Sequence, residues 1–205
     1  MIAAVLLAAG RSTRFEGGHK LLAEHRGEPV VVHAARALTE AGLAPLVVLG
    51  ARADEVRAAI GRALPDAPVS FVRNERHAEG MGRSLAKGVA SLPRDAAAVL
   101  IALGDMPLVT GREIALVRAA HDVDDPHAVT RAVAAGEGHA AGRPGHPTVL
   151  GHGWFAALCE LNGDRGATSI LKDVPFRAVP VDPATQADVD TRDALASLGP
   201  DRGRA

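Results

Sequence analysis

The chain has 205 residues, 47% of them hydrophobic, enough for one sizeable core, and no Pro/Ser-rich linker divides it. Its formal net charge is −1, so no global field draws it to nucleic acid or a membrane surface, and any anion site must be local. A single cysteine, Cys159, cannot form an internal disulfide, which fits a reducing compartment. Residues 1 to 10 are apolar but lack a basic leading region and are too short to span a bilayer, so a cytoplasmic protein is expected.

Residues 2 to 7 (Ile-Ala-Ala-Val-Leu-Leu) form the continuous apolar run of a strand buried on both faces of a parallel sheet. No helix pattern follows until Pro29, which leaves a connection of roughly twenty residues, far longer than usual and therefore functional. Gly10, Gly17 and Gly18 let backbone N–H groups approach a ligand, Ser12 and Thr13 add hydroxyls, and Arg11, Arg14 and Lys20 add positive charge. That composition suits a polyphosphate. It is not a P-loop, because Lys20 lies between His19 and Leu21, and the Gly-x-Gly-x-x-Gly dinucleotide pattern is absent.

Residues 29 to 41 then read as a helix stopped by Gly42, 46 to 49 as a strand, 52 to 63 as a helix and 69 to 72 as a strand. This β-α-β-α-β order predicts a parallel sheet covered by helices, with ligands beyond the carboxyl ends of its strands. A polar loop, 73 to 84, runs into a helix ending near Leu92 and Pro93; Ser84 is available either as its cap or as a ligand contact. The most hydrophobic strand, 96 to 103, delivers Gly104-Asp105-Met106-Pro107 at its carboxyl end, where a carboxylate can hold Mg²⁺ against phosphate oxygens. Residues 110 to 121 read as a helix with a Thr110/Glu113 capping box, and 127 to 133 as a strand. Residues 134 to 147 are a glycine-rich excursion not expected to hold a core. The spacing of His139, His146 and His152 does not suit zinc. Helices over 154 to 161 and 167 to 172, a strand over 176 to 181 and a final helix capped by Asp190 or Thr191 complete the reading, with Cys159 a buried structural thiol and 199 to 205 a disordered tail.

The stretch Leu7-Ala8-Ala9-Gly10-Arg11-Ser12-Thr13-Arg14-Phe15 with Lys20-Leu21-Leu22 resembles the signature of the nucleotidyltransferases that act on the molybdenum cofactor and of their sugar-nucleotide relatives. Four further elements resemble that family in the expected order: Gly80-Met81-Gly82-x-Ser84-Leu85, Leu103-Gly-Asp-Met-Pro107, Gly145-His146-Pro147 with Gly163-Asp164-Arg165-Gly166-Ala167, and Asp188-Val189-Asp190-Thr191. The resemblance implies one domain over residues 1 to 198 with a three-layer α/β/α, mostly parallel, Rossmann-like fold of the nucleotide-diphospho-sugar transferase type. It implies that Leu7, Ala8, Ala9, Gly10, Arg11, Ser12 and Lys20 hold the triphosphate and that Gly80, Met81, Gly82 and Ser84 grip the base and ribose. It places catalysis on Lys20, Arg14 and Asp105, a Mg²⁺ cofactor on Asp105 and Asp190, and the acceptor at His146, Asp164 and Arg165, where the N-terminus of the 167 to 172 helix would attract its phosphate.

The implied reaction is CTP plus the phosphate of the molybdopterin cofactor giving a cytosine dinucleotide cofactor and pyrophosphate, with transient contact to molybdoenzymes or their chaperones. Ala9 leans toward cytosine, since guanylyl relatives often carry glycine there. The rivals are guanylyl or other nucleotidyl transfer to a phosphorylated acceptor, an oxidoreductase using NAD(P)H, against which the missing dinucleotide fingerprint argues, and a non-catalytic nucleotide or cofactor carrier, against which Lys20, Asp105 and Asp190 argue.

Overall fold

The computed structural model describes residues 1–136 and 142–199. His139 and all of the expected tail except Gly199 fall outside these residues. The chain order is β1 (Ile2–Ala8), β2 (Glu24–His25), β3 (Glu28–Pro29), α1 (Val30–Glu40), β4 (Pro45–Leu49), α2 (Ala53–Ala63), β5 (Ser70–Arg73), α3 (Met81–Ala90), β6 (Ala98–Leu103), α4 (Gly111–Ala119), β7 (Val129–Ala134), β8 (Pro144–Gly151), α5 (Phe155–Cys159), β9 (Arg177–Val181) and α6 (Arg192–Ser197). Seven strands form one sheet in the order β5-β4-β1-β6-β8-β7-β9, while β2 and β3 pair by themselves. All neighbours run parallel except β8, which is antiparallel to both β6 and β7. The expected mostly parallel α/β architecture is what the chain adopts.

Side chains alternate between two cores, as a sheet covered on both faces requires. Ala4, Leu6, Val47 and Leu100 join Val31, Leu38, Ile60 and Ile114 under α1, α2 and α4. Val5, Val48, Val99, Ile101 and Leu150 join Leu85, Val89 and Leu158 under α3 and α5. Leu6, Leu38, Ile60, Leu85 and Leu100 are among the largest side chains sealed from solvent, each contributing about 1.5–3 kcal/mol by burial.

Three local expectations are corrected. The excursion over 134 to 147 ends in a strand: β8 starts at Pro144 and fills the gap between β6 and β7, with Thr148, Val149 and Leu150 buried. Its ladder to β6 begins only at Thr148, so the missing N–H of Pro147 interrupts no bond there. The expected helix over 167 to 172 is a single 3₁₀ turn, Ala167–Ser169; the backbone at Asp173 turns to φ 93°, which no helix accommodates. Cys159 is only half-buried, and burial raises its thiol above the ordinary range.

Strand order reverses between β4 and β6, both of which flank β1, and such a switch point opens a crevice at the carboxyl ends of the strands. Leu7 and Leu103 lie side by side there, and Gly104 N–H donates to the Leu7 carbonyl at 2.9 Å. The loop after β1 and the loop after β6 therefore leave the sheet together.

Candidate functional site

The long loop is held from behind. His19 lies buried beneath it and its Nε2 donates to the Gly10 carbonyl at 2.9 Å, while Lys20 N–H donates to Ser12 Oγ at 3.1 Å. Burial, reinforced by the Arg52 and Lys20 charges, outweighs the Gly10 bond and keeps the His19 imidazole below its ordinary value, hence neutral. At the loop's far end Phe15 packs with Val30 and Val189, and Arg192 donates to the Glu16 and Gly17 carbonyls at 2.6 and 3.0 Å. The segment 188–192 is thus stitched to the loop. It is also stitched to the end of β6, since Val189 N–H donates to the Asp105 carbonyl at 2.8 Å.

Those two seams bring distant carboxylates together. One oxygen each from Asp105, Asp188 and Asp190 lies within 4.8 Å of the others, the only such group of possible metal ligands among the described residues. Lys20 Nζ sits between two of them, 2.5 Å from Asp105 Oδ2 and 2.8 Å from Asp190 Oδ1. Burial alone would lower the Lys20 pKa, but the Asp105 charge and the hydrogen bonds to both aspartates outweigh it and hold the ammonium above its ordinary value. The Lys20 hydrogen bond, with the Lys20 and Arg14 charges, holds the Asp190 carboxyl below its ordinary range. Arg14 is exposed and reaches this cluster through Asp190 Oδ2 at 2.9 Å. An all-oxygen donor set of this charge fits a hard divalent cation such as Mg²⁺ or Mn²⁺.

Beside the cluster opens a cleft of about 430 Å³. Of the residues singled out from sequence, Leu7, Ala9, Gly10, Arg11, Lys20, Gly80, Met81, Ser84, Asp105 and Asp164 line it. Ala8 points instead into the core, and Ser12 supports Lys20. Gly82 is buried against the 162–165 turn, its N–H donating to the Gly163 carbonyl at 2.9 Å; a Cβ there would lie 2.6 Å from the Arg165 carbonyl oxygen. Ser84 does not cap α3. It is buried four residues in, and its Oγ accepts from Asn74 Nδ2 at 3.0 Å. Arg165 is exposed and away from the cleft lining; without a full helix behind it, the expected helix-terminus attraction for a phosphate is missing. His146 also lies off the cleft lining, its Nδ1 3.3 Å from the Ile101 carbonyl. Burial holds its imidazole below the ordinary value, with Arg131 adding to the effect and Asp105 opposing it.

Thr13, expected to offer its hydroxyl, also lines the cleft, whereas sequence reasoning gave no role to Leu21, His77, Ala78 and Leu103 on its wall or to Asn74 behind Ser84. It also left Asp188 without a role. Its signal was present, because residues two apart in extended chain face the same side, as Asp188 and Asp190 do.

A glycine-rich loop and an acidic cluster facing one cleft at the switch point of a parallel sheet define a nucleotidyltransferase. Residues 4–181, nearly the whole chain, match the family described as MobA-like NTP transferase domain, and the chain belongs to that family. Among curated relatives, the bifunctional protein GlmU of Heliobacterium modesticaldum is 30% identical over 150 residues, 66% of this chain and 31% of that protein. GlmU of Anaeromyxobacter sp. (strain Fw109-5) is 36% identical over 121 residues, 58% of this chain and 25% of that one. The chain thus spans about a third or less of the length of these relatives. Among solved structures, Rv0371c from Mycobacterium tuberculosis H37Rv has a TM-score of 0.77 and 28% identity over 97% of each chain. A Rv0371c complex with manganese has a TM-score of 0.74 and 28% identity over 96% of this chain and 97% of that one. A nucleotidyl transferase from Methanothermobacter thermautotroptrophicus has a TM-score of 0.76 and 25% identity, covering 97% of this chain and 95% of that one.

Proposed function

We propose that this chain transfers the cytidylyl group of CTP to the terminal phosphate of a molybdopterin-type cofactor. The observation that carries the reading is the Lys20 ammonium held between Asp105 and Asp190 at the mouth of the cleft framed by the glycine-rich loop. An acceptor phosphate oxygen attacks the α-phosphorus of CTP and forms a new P–O bond. The bond from that phosphorus to the oxygen bridging toward the β-phosphate breaks, and pyrophosphate leaves with the electron pair. The nucleophile is already an anion, so no general base is needed; placement and charge neutralisation supply the rate. Lys20 meets the growing negative charge, the Gly10–Ser12 backbone and Arg11 hold the polyphosphate, and Arg14 steadies Asp190. Asp105 and Asp190, with Asp188 beside them, would hold Mg²⁺, which when bound supplies further positive charge against phosphate oxygens.

Ala9 lines the cleft, and alanine there supports cytosine over guanine because the guanylyl relatives that the sequence resembles often carry glycine at this place. Transfer of another nucleotidyl group at the same site is the alternative. The reading includes residues 1–198 as one transferase domain working in the cytoplasm; no helix of the described residues is long and apolar enough to cross a membrane. The test supplies CTP labelled at the α-phosphate together with molybdopterin and Mg²⁺. Label should move into a cytosine dinucleotide with wild type and not with Asp105→Asn; label remaining in CTP with the wild type would end the proposal.

A further inference from the structure

Arg131 is a buried charge that the described site does not use. It stands in the middle of β7, 7% exposed, with its guanidinium 5.6 Å from the centroid of the Phe176 ring. Its Nε is sealed from solvent without a hydrogen-bond partner. Its two terminal amino groups make no hydrogen bond among the described residues either. Among the described residues no carboxylate pairs with it, and burial lowers its pKa. A buried charge is costly unless it is paired, and a bound anion would pair this one.

The sheet register says where that ligand would come from. Ile101, Thr148 and Arg131 are aligned across β6, β8 and β7, on the face that Val129 and Leu150 share with α3 and α5. On that same face His146 stands one pleat above Thr148, and Leu103, which lines the cleft, one pleat above Ile101. Both steps lead toward Asp105, and His146 feels the charges of Arg131 and Asp105 alike. Arg131 therefore lies on the β8–β7 side of the carboxylates, two strand spacings or about 10 Å sideways from β6.

We propose that Arg131, backed by Phe176, forms an anion subsite that receives a second anionic group of the acceptor, distant from the phosphate that attacks CTP. Assigning that anion to the acceptor rests on the transfer reading above; the binding of an anion does not. A fork of parallel N–H donors recognises carboxylate or phosphate edge-on, and the ring face beneath holds the fork flat.

The test uses the wild-type chain and inorganic phosphate. In ¹⁵N NMR the Arg131 Nε–H signal, assigned by its absence from Arg131→Lys, should shift saturably at millimolar phosphate and stay unmoved at equal ionic strength of chloride. Arg131→Met, which removes the charge and keeps an apolar stem, should melt no lower than wild type in phosphate-free buffer, and phosphate should raise the melting temperature of the wild type only. An Nε–H signal that ignores phosphate, or moves equally with chloride, overturns the subsite. So does Arg131→Met melting well below wild type with no phosphate-dependent difference, since Arg131 would then serve the fold. Neither measurement needs turnover, so loss of the cytidylyl reading leaves the subsite standing, and the reverse also holds.

Discussion

Replacing Lys20 with methionine removes one charge and keeps the stem, and the structure sets the size of the consequence. Without the ammonium, Asp105 and Asp190 are left facing each other with oxygens within 4.8 Å. At an effective dielectric constant of about 20, two such charges repel by about 3.5 kcal/mol, and partial exposure of Asp190 reduces this to about 2 kcal/mol. Lys20→Met should therefore lower stability near pH 7 by about 2 kcal/mol and lower turnover by roughly two to three orders of magnitude, the scale of one lost transition-state donor. Nucleotide affinity should fall less. The pH dependence has a definite sign. The Asp190 pKa is depressed from 3.8, so its contribution is complete above that value and is lost as pH falls through the folded pKa. The Lys20 pKa is raised from 10.5, so its contribution is complete below that value and is lost as pH rises through the folded pKa. The gap between wild type and Lys20→Met, followed by thermal melts across pH, should be widest between these limits and close at both ends. Mn²⁺ should narrow it too, by replacing the lost positive charge. A variant equal in stability to wild type at pH 7, with no pH-dependent gap, would refute the reasoning.

Three further substitutions test separate parts of the site. Gly82→Ala forces a methyl against the Arg165 and Asn162 carbonyl oxygens, 2.6 and 2.9 Å from an ideal Cβ, and should cost about 1–3 kcal/mol in melts while raising the nucleotide KM. Asp188→Asn should weaken Mn²⁺ binding, followed by calorimetry, with little change in melting temperature, because Asp188 makes no ion pair among the described residues. Ala9→Gly should move the CTP-to-GTP ratio of kcat/KM about tenfold toward GTP, the worth of one methyl in a pocket; an unmoved ratio would remove the steric argument for cytosine.

Much of this site is legible in the sequence because its parts interrupt strong periodicities. The run ending at Leu7 breaks abruptly into Gly10–Arg14, and the run ending at Leu103 breaks at Gly104-Asp105, so both loops are located by where burial must stop. The capping box of Thr110 and Glu113 is equally plain and forms as expected. Other parts depend on contacts that no local pattern encodes. In β8 the Gly and Pro content of 142–147 masks a strand whose burial comes from β6 and β7 on either side. The Ala167 turn has the start signals of a helix, yet Leu171 is drawn into the core and Asp173 reverses the chain. Arg131 in β7 gives no sign in the sequence of its contact with Phe176, which arrives 45 positions later.

The most direct test of nucleotidyl transfer is the rate of pyrophosphate release from each of the four nucleoside triphosphates, with Mg²⁺, in the presence and absence of molybdopterin. The account predicts release that requires both the acceptor and the metal, is fastest with CTP, and is lost in Asp105→Asn. Faster release from GTP would replace the cytidylyl reading with the guanylyl one, and no acceptor-dependent release from any of the four would contradict transfer to molybdopterin.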